Sequence, residues 1–90
     1  MGKTKKNKDY SFHHTNIRLT RRYATSLTRE EYDYLCNKIQ ANENIELIGS
    51  EAQKNDTQYI YDIEFKHRII RVVWSDEREC ITTVLRRGIM

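Results

Sequence analysis

His14, Arg18 and Arg22 recur every four residues, so on a helix they form one stripe with about a turn between neighbours. An imidazole with its ordinary pKa of about 6.5 takes or gives a proton at neutral pH. A guanidinium is permanently charged and grips phosphate oxygens through paired hydrogen bonds. The stripe therefore has the parts for acid–base work beside a bound phosphate. His14 and Arg18 are the candidate catalytic groups, and Arg22, with Arg21 beside it, is a candidate phosphate contact. The same composition also describes a solvated basic helix face.

Two residues further along can join them. Arg71 and Thr82 lie in strand-like segments at positions that share a half-polar face, with Glu64 one strand over. There Arg71 neutralises a phosphate and Thr82 donates a hydrogen bond to one of its oxygens. In the alternative, Arg71 pairs across the strands with Glu64 and Thr82 is an ordinary strand residue. Lys66, His67 and Arg68 at a turn, and Arg86 and Arg87 after the last strand, place basic groups where they can follow a nucleic-acid backbone. Tyr10, Tyr59 and Trp74 can stack on unpaired bases, although Tyr59 and Trp74 also suit a core.

These residues sit in a chain of 90 residues with a net charge of +3. The charge is unevenly spread: residues 1–29 carry +7 and residues 30–90 carry −4. A concentrated positive segment points to a polyanionic partner, most simply RNA. Lys3, Lys5, Lys6 and Lys8 make up half of that segment's cations, and without these four the chain has a net charge of −1. Lys5 and Lys6 are the tail's candidate nucleic-acid contacts. Residues 1–10 read as a disordered basic tail and 11–90 as a single domain.

Several function classes have no support. No run approaches the about 18 apolar residues of a membrane span, and no apolar stretch follows the basic start as in a signal peptide. Cys36 and Cys80 are too far apart for a paired metal or redox motif, and they read as buried thiols in a reducing cytoplasm. The three histidines lack zinc-ligand spacing. Walker, GxGxxG, HExxH and GxSxG motifs are missing, so no cofactor or metal is implied.

The elements that must position these side chains follow from periodicity. From Ser11 to about Ala24, at about 100° per residue, Phe12, Leu19 and Tyr23 share a sector flanked by Ile17 and Ala24, with the basic stripe opposite. Thr28-Arg29-Glu30-Glu31 is a capping box, and Leu27 with Tyr32 forms a hydrophobic staple. Tyr32, Leu35, Cys36 and Ile39 then make one buried stripe, and the helix ends near Asn42. Ile45 to Ile48 is a short strand and GSEAQKND a polar loop. The strand through Tyr59, Tyr61, Ile63 and Phe65 turns at Lys66-His67 into Arg68 to Trp74. A charged loop, Asp76 to Glu79, leads to a last strand from Cys80 to Leu85. The predicted fold is α+β: two N-terminal helices followed by a three- to four-stranded antiparallel β-meander, with the helices on one face.

The stretch HTNIRLTRRYATSLTREEYDYL followed by YDIEFKHRIIRVVWSDERECITTVL resembles small phage- and plasmid-encoded domains of the barnase–EndoU–colicin–RelE superfamily. Those have a helix bearing His and Arg, a second helix and a meander. The meander's closing strand pair is matched here by Val72-Val73-Trp74-Ser75-Asp76 and Ile81-Thr82-Thr83-Val84-Leu85. The likeness spans residues 12–86. Two positions depart from the pattern: Lys66-His67 replaces the hairpin glycine, and Arg86 stands where a proline often follows. The resemblance implies a metal-independent, toxin-type endoribonuclease in which a neighbouring 2′-hydroxyl attacks the phosphodiester. A base, an acid and cations on the phosphorane charge would serve that step, and an antitoxin is an implied partner. A second expectation is a non-catalytic phage or mobile-element protein that binds and inhibits a host protein or nucleic acid. A third is an interaction module whose basic tail folds on its partner.

Overall fold

A computed structural model describes residues 2–87, with backbone only for residues 2–8. Two helices, α1 (Gly2–Tyr23) and α2 (Arg29–Ala41), precede four strands: β1 (Ile45–Gln53), β2 (Asp56–Phe65), β3 (Arg68–Ser75) and β4 (Cys80–Leu85). The strands form one antiparallel sheet in the order β1-β2-β3-β4. Among the described residues, no helix is long and apolar enough to cross a membrane.

The α2 boundaries are set locally. Thr28 Oγ1 accepts from the Glu31 amide (3.1 Å) and Glu31 Oε1 accepts from the Thr28 amide (2.9 Å). The amides of the cap residue and of the third helical residue are thus satisfied, and Glu30 and Glu31 complement the positive helix end. At the other end Asn42 is left-handed (φ 57°, ψ 46°) and the Glu43 amide reaches back to the Lys38 carbonyl, a Schellman closure. Between them Tyr32, Leu35, Cys36 and Ile39 are buried, as their spacing predicts.

In the sheet, Ile63 faces Ile70, Tyr61 faces Val72 and Tyr59 faces Trp74 across β2 and β3. With Phe65, Ile81, Val84 and the α2 stripe these residues form the core. The β2–β3 turn has both central residues left-handed, Lys66 at φ 52° and His67 at φ 66°. This is the turn whose twist suits a two-residue hairpin. Lys66 retains internal contacts, but the His67 side chain is exposed. A left-handed non-glycine residue costs about 1–2 kcal/mol, and glycine's extra chain entropy offsets about half of the relief. His67→Gly should therefore raise stability by about 0.5–1 kcal/mol, read as a higher urea midpoint at unchanged slope.

Three details depart from the sequence expectations. Strand β1 does not stop at Ile48 but continues to Gln53 past a bulge between Leu47 and Gly49, taking in most of the expected polar loop. No apolar alternation marks this stretch because its side chains are mostly exposed on an edge strand. The first helix begins at Gly2 rather than near Ser11. Once the packed turns nucleate a helix, each added residue gains a hydrogen bond, and lysine is a good helix former. Finally, α1 is rotated from the predicted sector. Among its described side chains Ser11, Thr15 and Leu19 are buried, while Ile17 is exposed.

Candidate nucleic-acid interface

Hydrogen bonds to β4 fix where α1 lies. Thr15 Oγ1 donates to the Ile81 carbonyl (3.4 Å) and the Tyr23 hydroxyl donates to the Leu85 carbonyl (2.7 Å). Eight helical residues rise about 12 Å and four strand residues advance about 13 Å, so α1 runs alongside β4 in the same direction. On its other flank α1 meets α2: the Phe12 ring packs edge-on to Tyr32 (5.4 Å), and Asn16 Oδ1 accepts from the Leu27 amide. His14, Arg18 and Arg22 interleave with Ser11 and Thr15 around the helix. They therefore lie on the β4 side, away from α2, and all three are half-buried. Arg21 is exposed beside them.

At the end of β4 this stripe meets other cations. Arg22, Tyr23, Arg86 and Arg87 line one depression of about 320 Å3. Arg87 Nε in turn donates to Asp62 Oδ2 (3.2 Å). Arg71 holds the same carboxylate with two bonds, Nε to Oδ1 (2.9 Å) and Nη2 to Oδ2 (3.1 Å). Burial opposes ionisation of Asp62, but the hydrogen bonds from Arg71 and Arg87 and their charges outweigh it and hold the carboxyl below its ordinary pKa. A basic band thus runs from His14 through Arg18 and Arg22 to Arg86 and Arg87.

At the other end of the band Tyr10 is exposed and its ring lies nearly parallel to the His14 imidazole, with centroids 6.1 Å apart. Desolvation and the positive charges of Arg18 and Arg22 all push the His14 pKa below its ordinary value. The imidazole is therefore neutral at pH 7, a proton acceptor rather than a donor.

The remaining candidates are placed elsewhere. Arg71 stands opposite Asp62, not Glu64, and its ion pair is with Asp62. The Tyr23 hydroxyl, which accepts from the Arg71 amide at 3.2 Å, marks the level of Arg71 along α1. His14 is nine residues earlier, about 13 Å along the axis. Leu85 faces Arg71, and at the bulge between Val73 and Trp74 Thr82 falls between the paired positions Ile81 and Thr83. Thr82 instead donates to the Val73 carbonyl and lines a separate depression with Asp56, Ser75 and Arg78. Among the described residues, no hydrogen bond or ion pair joins His14 to Arg71 or Thr82.

Two of the turn cations have internal partners. Lys66 Nζ donates to the Ser26 carbonyl (3.1 Å) and lies 3.6 Å from Glu31, and Arg68 donates to the Tyr23 carbonyl. They satisfy acceptors at and just after the negative end of α1 and tie the β2–β3 turn to the α1–α2 loop. His67 is exposed at the turn. The side chains of Lys5 and Lys6 lie outside the described residues. Asp62 and Tyr23 were not among the sequence candidates, although counting back from the two-residue turn would have paired Asp62 with Arg71.

The fold and site define a two-helix, four-stranded α+β domain with a basic band along one sheet edge. Comparisons of the chain with family models, curated proteins and solved structures return no match.

Proposed function

We propose that this chain is a ribonuclease-like domain that binds RNA through its phosphates and cleaves it without a metal, with His14 as the base. The observation that carries the reading is the band itself. Helix α1 and the end of β4 are remote in sequence, yet they present Arg22, Arg86 and Arg87 to one depression, with Arg18 and a neutral His14 following one turn after another. The arginines hold phosphate oxygens and stabilise charge that develops on them. The imidazole takes the proton of a 2′-hydroxyl, whose oxygen bonds to phosphorus as the bond to the 5′-oxygen breaks; that oxygen leaves with a proton from water, and Tyr10 offers a face to an unstacked base.

A fluorescently labelled single-stranded RNA tests the binding half. Affinity should fall steeply between 50 and 200 mM salt, a range of the kind over which counterion release is read. Arg22→Ala and Arg86→Ala should each weaken binding and flatten the log–log salt slope by about 0.7. Affinities and slopes equal to wild type in both variants would remove the band as the RNA site. Cleavage in EDTA that leaves 2′,3′-cyclic phosphate ends tests the chemical half.

One observation favours a second reading, a non-catalytic binder from a phage or mobile element. Arg71 is engaged by Asp62 and Thr82 lies in another depression, so the two expected partners of His14 are not beside it. Stable RNA binding with no turnover is the outcome that selects this reading.

A further inference from the structure

Away from the basic band, the sheet extends past the end of α2 and leaves a depression of about 510 Å3. Trp74, Tyr59 and Tyr61 line it, Ile39 closes one wall, and Asp76 and Glu79 stand exposed at the rim. Trp74 faces Tyr59 across β2 and β3, and the Tyr59 and Tyr61 rings are 6.3 Å apart with 32° between their planes. No lining residue is a cation. Burial, with Tyr59 and Asp76 nearby, raises the Tyr61 pKa, so the phenol stays neutral.

The backbone of the loop that bears the carboxylates is held in place. Asp56 accepts from the Ser75 hydroxyl (2.6 Å) and the Glu77 amide (2.9 Å), and Ser75 Oγ accepts from the Arg78 amide (3.1 Å). The Asp76 and Glu79 amides donate to the Thr57 and Ser75 carbonyls. Arg78, the loop's own cation, lines a different depression together with Asp56.

We propose that this depression receives an arginine side chain from a protein partner. The rings of the half-buried Tyr59 and Tyr61, backed by Trp74 at 6% exposure, attract a cation through their quadrupoles, and two exposed carboxylates on a braced backbone add charge complementarity. Arginine fits better than lysine because its planar, weakly hydrated guanidinium stacks on rings while its five donors reach both carboxylates. Nucleic acid is disfavoured, since the rim would repel its phosphates. The neighbouring surface suits a polypeptide carrying that arginine. Leu47, opposite Tyr61, is 57% exposed, and β1 is an edge strand, which offers apolar contact and free backbone groups.

Trp74 is the only tryptophan, so its fluorescence reports on the depression in the intact chain. Titration with acetyl-Gly-Arg-Gly-amide should give a saturable change with a dissociation constant of about 1 mM, the scale of a single anchoring side chain. The citrulline peptide, equal in shape but uncharged, should bind at least about tenfold more weakly, and the lysine peptide about threefold more weakly. Asp76→Asn combined with Glu79→Gln should weaken the arginine peptide by about tenfold without moving the melting temperature. Equal binding of the citrulline or lysine peptide overturns the assignment, as does the lack of a saturable response in wild type or an unchanged affinity in the double variant. No residue is shared with the basic band, so failure here leaves the RNA reading standing.

Discussion

His14→Ala is expected to lower RNA cleavage by about 10²–10⁴-fold while affinity for uncleaved RNA stays close to wild type. The two effects separate because the imidazole is neutral at pH 7 and adds no charge to the band, whereas Arg18, Arg22, Arg86 and Arg87 retain theirs. The pH profile carries a second signature. Burial and the flanking Arg18 and Arg22 lower the His14 pKa, so the active base form persists below pH 6.5. Cleavage should rise with pH through that lowered pKa and level off before the usual histidine range. Arg18→Gln removes one of the causes and should move the rising limb to higher pH. The same depression has a stability consequence. Between the lowered folded pKa and the ordinary unfolded one, the unfolded chain binds more protons. Stability from this group is therefore fully present above about pH 6.5 and declines as pH falls through the folded value. Wild-type cleavage by His14→Ala would remove the imidazole from the chemistry, and a profile centred at the ordinary histidine pKa would contradict the placement of the arginines around it.

The largest effect on folding is expected at Tyr32. Its side chain is fully buried between the helices and the sheet, and its hydroxyl donates to the Ile81 carbonyl at 2.6 Å. Burial, together with Cys36 and Cys80 nearby, drives its pKa far above the ordinary phenol value, so the hydroxyl remains a donor at any accessible pH. Tyr32→Ala removes the ring that meets Phe12 edge-on within the core it shares with Leu27, and leaves a cavity. Comparable deletions cost about 3–5 kcal/mol, a large share of the about 5–13 kcal/mol expected of a domain this size. Tyr32→Phe keeps the ring and should cost only about 1 kcal/mol, because the Thr15 hydroxyl still donates to the same carbonyl. Urea midpoints distinguish the two. Similar losses in both variants would shift the dominant contribution from ring packing to the hydroxyl.

Much of the fold was legible before any coordinates. Thr28 and Glu31 announce the start of α2 because both halves of a capping box lie within one turn. Asn42 marks its end through a conformation that few other residues tolerate. The alternation of Tyr61, Ile63 and Phe65, and of Ile70, Val72 and Trp74, identifies the covered face because a strand has a period of two. The continuation of β1 through Ser50 and Glu51 was not legible, since an exposed edge strand lacks that alternation.

The candidate site was legible in pieces only. The His14–Arg18–Arg22 spacing is a property of one helix. Counting from the Lys66-His67 turn pairs Asp62 with Arg71, so that ion pair was readable in principle. The partner of Val73 was not readable: counting from Ser75 and Cys80 gives Thr82, whereas the bulge makes it Thr83 and leaves Thr82 between paired positions.

The chain's local order thus determined the helices, the strands and which residues could act on a phosphate, because capping, periodicity and short turns depend on residues a few positions apart. Tertiary structure alone decided that Arg22 meets Arg86 and Arg87, that His14 stands about 13 Å from the level of Arg71, and that Tyr59 and Tyr61 stay half-buried beside Trp74 near the end of α2. Those outcomes depend on how Leu19, Tyr23 and Thr15 seat α1 against β4. Such contacts join residues more than 60 positions apart, and no local pattern encodes them.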